Sequence, residues 1–287
     1  MKRMGAATAI GAALIAFAAP AVAKAPAPVP EGFISLFDGK TLNGWRGDMT
    51  LWSVRDGAIT GGSEQLIDKN TYLILEREFP NFELRFKYRF ANDFGNSGIQ
   101  FRSGQVPGNF AMAGMQANVT PITKDIDRFA MLYDELGDRQ EMVLLGQRAE
   151  VTRIQSGGGG TGRIVRNVIE MVNPREVILK AVKPTGEAWN EGVVIVHGNR
   201  VVQAVNGYLA IDATINDPLS PRDGLIGLQL HISKPSYVQF KDVVIKPIDS
   251  FPDITGRFIS NPVPAPEPRR TYKESTRVKT PDTPLPE

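Results

Sequence analysis

The sequence predicts an all-β protein: an antiparallel β-sandwich followed by a proline-rich tail. Three observations predict it. Phe82, Leu84, Phe86, Tyr88 and Phe90 alternate without a break with Glu83, Arg85, Lys87 and Arg89, the period of a half-buried strand. Arg200 to Val205 and Tyr208 to Asp212 flank Asn206-Gly207, a strong two-residue hairpin turn. Elsewhere short β-branched runs are separated by polar turns, with little helical period.

Taken in order, the chain begins with a segment that is not part of the fold. Lys2 and Arg3 precede an apolar, alanine-rich run from Gly5 to Ala19, and Ala21-Val22-Ala23 has the small residues of a signal-peptidase site. The run is short for a membrane span of about 20 residues. Residues 1–23 are therefore expected to be a cleaved export signal, which predicts a periplasmic or secreted protein. Residues 24–30 form a Pro/Ala linker, and 31–248 are expected to be the globular domain. Val193 to Val196 is a β-branched run before the turn His197-Gly198-Asn199, and Leu225 to Ile232 and Val238 to Lys246 are two closing strands. A helix is expected around Asp125 to Leu136. Gln155 to Gly162 holds four consecutive glycines without the Lys and Ser/Thr of a P-loop, and reads as a surface loop. Residues 249–287, rich in proline and charge, are expected to form a flexible tail, which could serve as a spacer or dock a protein partner.

Composition excludes several functions. The chain has 33 basic and 31 acidic side chains, two of the basic ones in the signal, so the mature chain is near neutral. Nothing in that balance favours nucleic acid or an anionic membrane. There is no cysteine, hence no disulfide, thiolate metal site, cysteine nucleophile or lipoprotein anchor. No later stretch is long and apolar enough to span a bilayer. Gly-x-Ser-x-Gly and HExxH are absent, which weakens serine-hydrolase and zinc-protease readings.

Polar residues gather on three expected strands. Ile99-Gln100-Phe101-Arg102, Met115-Gln116-Ala117-Asn118-Val119 and Leu228-Gln229-Leu230-His231-Ile232 each turn a polar pair to one side. In one sheet they would form a surface of amides, a guanidinium and an imidazole, groups suited to sugar hydroxyls. A solvent-facing strand would favour Lys and Glu instead, as Glu83 to Arg89 does. Trp45, Trp52, Tyr133 and Trp189 could supply rings for sugar C–H faces, and Asn206 is a further polar candidate. His231 is a candidate base or metal ligand, whereas His197 lies in a turn. Asp134 and Glu135 are a candidate acid and base, although neighbours in a strand diverge, so one at most would face a ligand.

These residues also carry a resemblance. Phe33-Ile34-Ser35-Leu36-Phe37-Asp38-Gly39-Lys40-Thr41-Leu42-Asn43-Gly44-Trp45 resembles the opening of the bacterial 3-keto-disaccharide hydrolase domain. Trp52 to Gly61, Phe82-Glu83-Leu84, Asn96 to Arg102, Gly227 to His231 and Phe240 to Val243 follow in that family's order. The resemblance implies a concanavalin-like jelly roll that cleaves glycosides whose glucose unit carries a C3 ketone. A base removes the acidified C2 proton, the C1 group departs, and water adds back. On this reading His231 is the base, Arg102 the oxyanion donor, and Glu135 or Asp134 the acid. Gln100, Gln116, Asn118, Tyr133, Trp189, Asn206 and Gln229 would bind the saccharide. Asn118 stands where the most similar subgroup has Asp, and Ile232-Ser233-Lys234-Pro235 departs from the expected glycine-containing loop. Cofactors stay open, a divalent metal included. A non-catalytic carbohydrate-binding module and a cell-envelope interaction protein are the rival readings.

Overall fold

The computed structural model describes residues 28–122, 126, 128–154 and 162–274. The expected export signal and the glycine run at 157–160 lie outside the described residues. Those described form β1 (Ile34–Ser35), β2 (Trp45–Arg46), β3 (Trp52–Arg55), β4 (Ala58–Ser63), β5 (Thr71–Leu75), β6 (Phe82–Phe90), β7 (Ser97–Gln105), β8 (Met112–Val119), β9 (Leu132–Glu135) and β10 (Gln140–Val143). They continue with β11 (Gln147–Ile154), β12 (Arg163–Met171), helix α1 (Arg175–Ala181), β13 (Asn190–His197), β14 (Arg200–Val205), β15 (Tyr208–Asn216), β16 (Leu225–Leu230), β17 (Ser236–Pro247), β18 (Val263–Pro264) and β19 (Arg270–Glu274).

Two sheets make the sandwich. The larger runs β18-β12-β11-β15-β14-β13-β6-β17-β4-β3, with β1 also on β17 and β19 also on β12. The smaller runs β10-β9-β8-β7-β16-β5-β2. Pairing is antiparallel throughout except between β11 and β15. Alternation in β6 puts Phe82, Leu84, Phe86, Tyr88 and Phe90 into the main core, where they meet Ile99, Phe101, Met115 and Leu228 of the smaller sheet. Phe82 and Phe101 touch edge to face across the sheets, ring centres 6.1 Å apart. Each such ring removed from water contributes about 1.5–3 kcal/mol. Because Ile99, Phe101, Met115, Ala117, Leu228 and Leu230 point into this core, the intervening residues of β7, β8 and β16 must face away from it.

Two expectations are corrected. The segment expected to be a helix instead supplies turns at 128–130 and then β9. Phe129-Ala130-Met131-Leu132 is buried throughout, and a short buried run reads equally well as either element. The flexible tail expected from 249 onward is, as far as Glu274, part of the fold. Phe251, Ile254 and Phe258 pack on Val172, Ile195, Val202 and Leu209 on the outer face of the larger sheet, and β18 and β19 both pair with β12.

Candidate functional site

The outward face of the smaller sheet brings together most of the expected polar residues. Register sets Gln116 opposite both Gln100 and Tyr133, Gly227 beside Gln100, and Gln229 opposite Tyr72. A chain of amides runs across the strands. Gln116 Nε2 donates to Asn118 Oδ1 at 2.8 Å and to Gln229 Oε1 at 3.3 Å. Gln229 Nε2 donates to the Tyr72 hydroxyl at 2.8 Å and lies 3.5 Å from Glu135 Oε2. Asn118 Nδ2 caps the Arg128 carbonyl at 2.8 Å. Gln116 can lie flat on the sheet because Gly98 is beneath it: a Cβ there would sit 2.5 Å from its amide carbon.

The cluster is buried and incompletely satisfied. Gln100 is fully buried, yet neither of its amide atoms has a partner in the protein, and neither does Gln116 Oε1. A buried polar group left unpaired costs about 1–3 kcal/mol. Such a cost in a packed sheet marks a place where water or a polar ligand supplies the missing bonds.

Glu135 is the charge in this cluster. Burial, then the Glu135 charge, pushes the Tyr72 phenol well above its ordinary range. The same two causes, in the same order, push Tyr133 up, with Arg128 opposing. Both phenols therefore keep their protons at neutral pH and act as donors. Tyr72 accepts from Gln229, so its own O–H is left to donate. His231 follows directly after β16, partly exposed, with Nδ1 2.7 Å from the Ile232 carbonyl. A carbonyl only accepts, so this contact assigns the proton to Nδ1 and, in the neutral ring, the lone pair to Nε2.

Four expected site residues lie elsewhere. Arg102 does not share the face of Gln100. The strand bulges between Phe101 and Gly104, Arg102 takes φ 46°, and its guanidinium turns away to the Pro80 and Gly198 carbonyls and Asn81 Oδ1 at 2.7–3.1 Å. Burial, then the charge of Arg222, lowers it to about 10, still charged at neutral pH. It is a structural clasp with no hand toward a ligand. Asp134 points opposite to Glu135 and holds Arg139 through both oxygens, at 2.9 Å each. Trp189 sits by the larger sheet, under Arg89 and Lys241 at 4.6 and 4.1 Å. Asn206 sits in the β14–β15 turn, where its side chain bonds Ala181 O and Asn190 Oδ1 and accepts from the Glu191 amide. Of the other rings considered, Trp45 and Trp52 are core residues. His197 meets the Asp249 carbonyl at 3.0 Å, far along the chain from the cluster.

Tyr72 was missed by the sequence reading. Thr71-Tyr72-Leu73-Ile74-Leu75 is almost wholly apolar and buried, so no alternation separates the face of Leu73 from that of Tyr72. Among the described residues no group of three or more His, Asp or Glu gathers as a metal site. No helix among them is long and apolar enough to cross a membrane.

Comparison with known proteins agrees with the motif reading. Over 85 residues the chain is 38% identical to the 3-keto-disaccharide hydrolase of Bacteroides thetaiotaomicron, a match covering 26% of this chain and only 29% of that protein. Two solved structures from Parabacteroides distasonis, each described as a candidate glycosyl hydrolase, are similar in outline. One is 20% identical with TM-score 0.48, covering 76% of this chain and 95% of the other; the second is 17% identical with TM-score 0.49, covering 75% and 99%. The carbohydrate-binding module CBM66 of Bacillus subtilis is 15% identical with TM-score 0.41, over 71% of this chain and 95% of the module. The profile of one family matches residues 32–246, most of the chain. The protein belongs to the 3-keto-alpha-glucoside-1,2-lyase-like domain family.

Proposed function

We propose that this carbohydrate-active protein cleaves 3-keto-glycosides on the outward face of its smaller sheet, by removing the C2 proton and expelling the C1 substituent. One observation carries the reading: a buried carboxylate, Glu135, stands among unsatisfied amides and beside two phenols that keep their protons. The family and the curated relative's name supply the substrate class. The export signal expected at residues 1–23 would place the reaction in the periplasm.

The chemistry needs three groups in a fixed order. C2 and the C3 oxygen are neighbours in the substrate, so the base and the donor to the enolate oxygen must also be neighbours. Glu135 and Tyr72 meet this requirement, since both approach Gln229 Nε2. Glu135 then takes the C2 proton, and Tyr72 donates to the C3 oxygen as it becomes negative. The C1 oxygen lies on the other side of C2. His231, two residues beyond Gln229 and so about 7 Å further along the strand line, enters this step as the imidazolium, with Nδ1–H held by the Ile232 carbonyl, and gives its Nε2 proton to the C1 oxygen as the C1–O bond breaks. Water adds to C1 of the resulting enone and C2 regains a proton, releasing the free 3-keto sugar. This assignment differs from the sequence expectation, because Arg102 is turned away and Glu135, not His231, sits inside the cluster.

The test is product analysis on residues 24–287 with 3-keto-glucosides and their unoxidised parents. Glu135→Gln should lose about 10²–10⁴-fold in rate with substrate still bound. His231→Ala should lose rate on alkyl glycosides but keep it on a 3-keto glucoside with a nitrophenol leaving group, which needs no proton. Undiminished turnover by Glu135→Gln would sink the mechanism. Saturable binding of sugar without any product would instead favour the carbohydrate-binding module.

A further inference from the structure

The segment after residue 248, expected from the sequence to be a tail, builds a cavity away from the smaller sheet. The family match ends at residue 246, and residues 251–260 wall a cleft of about 590 Å³ against the outer face of the larger sheet. That is a size suited to a small ligand. Its lining includes Arg148, Arg200, Phe251, Asp253, Thr255 and Ser260.

The polar groups here are already ordered. Asp212, nearly buried, receives Arg200 through Nε and Nη2 and Arg148 through Nε, each at 2.9 Å. Arg148 also contacts Glu170. The Arg200 guanidinium lies 4.2 Å from the centre of the Phe251 ring. Each arginine keeps terminal N–H groups outside these bonds: Nη1 of Arg200 and Nη2 of Arg148. Asp253 adds an acceptor, fixed by the Thr255 amide at 2.9 Å. Two guanidiniums facing Asp212, Glu170 and Asp253 leave no net positive charge to attract an anion. What they leave is a set of fixed donors and acceptors with two hydroxyls and an aromatic ring, the groups that recognise a polyol.

We infer that this cleft is an accessory site for a neutral saccharide, separate from the site on the smaller sheet and built by a segment outside the family domain. Choosing a saccharide among neutral polyols rests on the reading of the chain as carbohydrate-active; the position of the site does not.

The experiment is calorimetric titration of residues 24–287 with maltotriose, cellotriose and laminaritriose, and with trigalacturonate as an anionic control. None carries a C3 ketone, so none is turned over in the proposed reaction. Thr255→Trp fills the cleft from an exposed position, and Arg200→Lys keeps the charge but loses the fork on Asp212. At least one neutral trisaccharide should bind, tenfold or more weakly in both variants, and unchanged in Glu135→Gln. Thr255→Trp should keep wild-type kcat/KM on a 3-keto-glucoside. Binding lost in Glu135→Gln but intact in Thr255→Trp would put the sugar on the smaller sheet and overturn the inference. Preference for trigalacturonate, or no binding of any neutral probe, would overturn it too. If product release fails while Thr255-sensitive binding persists, the catalytic reading falls and the accessory site stands.

Discussion

Gln100 is retained at a cost, and substituting it separates stability from function. Both its amide atoms are buried without a protein partner. Gln100→Leu would keep similar volume and remove two unsatisfied groups. It is therefore expected to raise stability by about 1 kcal/mol or more, read as an upward shift of the urea midpoint, while saccharide binding on that face weakens at least tenfold. A loss of stability would mean that ordered water already satisfies the amide. Gly98→Ala tests the same surface from below: the new Cβ would push the Gln116 amide off the sheet and weaken binding while the strands still pair. Arg102 makes the opposite kind of prediction. Its four hydrogen bonds to Pro80, Gly198 and Asn81 are scaffold bonds, so Arg102→Met should cost about 3 kcal/mol or more. The residual folded protein should keep whatever kcat the wild type shows in the proposed reaction on a 3-keto-glucoside. A stable Arg102→Met protein with kcat abolished would restore the oxyanion role expected from the sequence.

At the scale of elements, β9 carries Glu135 on one face and a buried ion network on the other. Asp134 binds Arg139, Arg139 reaches Asp217 at 3.4 Å, and Arg153 joins Asp217 to Asp138 with contacts of 2.8–2.9 Å. Burial would raise the Asp217 carboxyl, but the hydrogen bonds from Arg153 and the Leu219 amide and the charges of Arg153 and Arg139 outweigh it, and the net shift is downward. A carboxylate with a folded pKa below its unfolded value adds stability above the unfolded value, near 4, and loses it as pH falls through the folded one. Stability should therefore hold through neutral pH and drop below about pH 4. Asp217→Asn should cost about 3–5 kcal/mol at pH 7, because Arg153 and Arg139 lose a shared buried partner, and should flatten the acid limb. An unchanged acid limb in thermal melts of Asp217→Asn would assign acid sensitivity elsewhere, Glu83 with Arg257 and Arg85 being the next such group. The sequence foretold only half of this element. That Asp134 and Glu135 diverge follows from strand alternation. That Asp134 and its neighbours Asp138 and Arg139 join Arg153 and Asp217 from distant segments depends on sheet order, to which local pattern is blind.

At the scale of the whole molecule, legibility followed alternation. The strands with one polar face, β6, β7, β8 and β16, were readable, and with them Gln100, Gln116, Asn118 and Gln229. The bulge that turns Arg102 was not, because it is set by Gly114 and Gly224 at φ 141° and 128°, where a Cβ would strike the backbone at 102–103. The motifs that carry the family resemblance are mostly scaffold: Asp38 Oδ1 ties the Lys40 and Thr41 amides, and Trp45 and Trp52 fill the core. The segment after residue 248 was misread because its apolar residues are sparse among prolines and charges. Phe251, Ile254 and Phe258 nevertheless cover Val172, Ile195, Val202 and Leu209, and Asn173 Nδ2 ties Leu209 O to Ile259 O at 2.9 Å each. Truncation after Ile248 would uncover that apolar face and unpair the outer side of β12. At about 1.5–3 kcal/mol for each large side chain exposed, the loss approaches the whole stability of a typical domain. The shortened chain is expected to be aggregated or molten, although its family domain is intact. Truncation after Glu274 keeps every contact named here and is the control for this experiment. A cooperative, wild-type melt from the chain ending at Ile248 would show that the segment only rests on the sandwich, and the accessory cleft would then be a removable part rather than a wall of the fold.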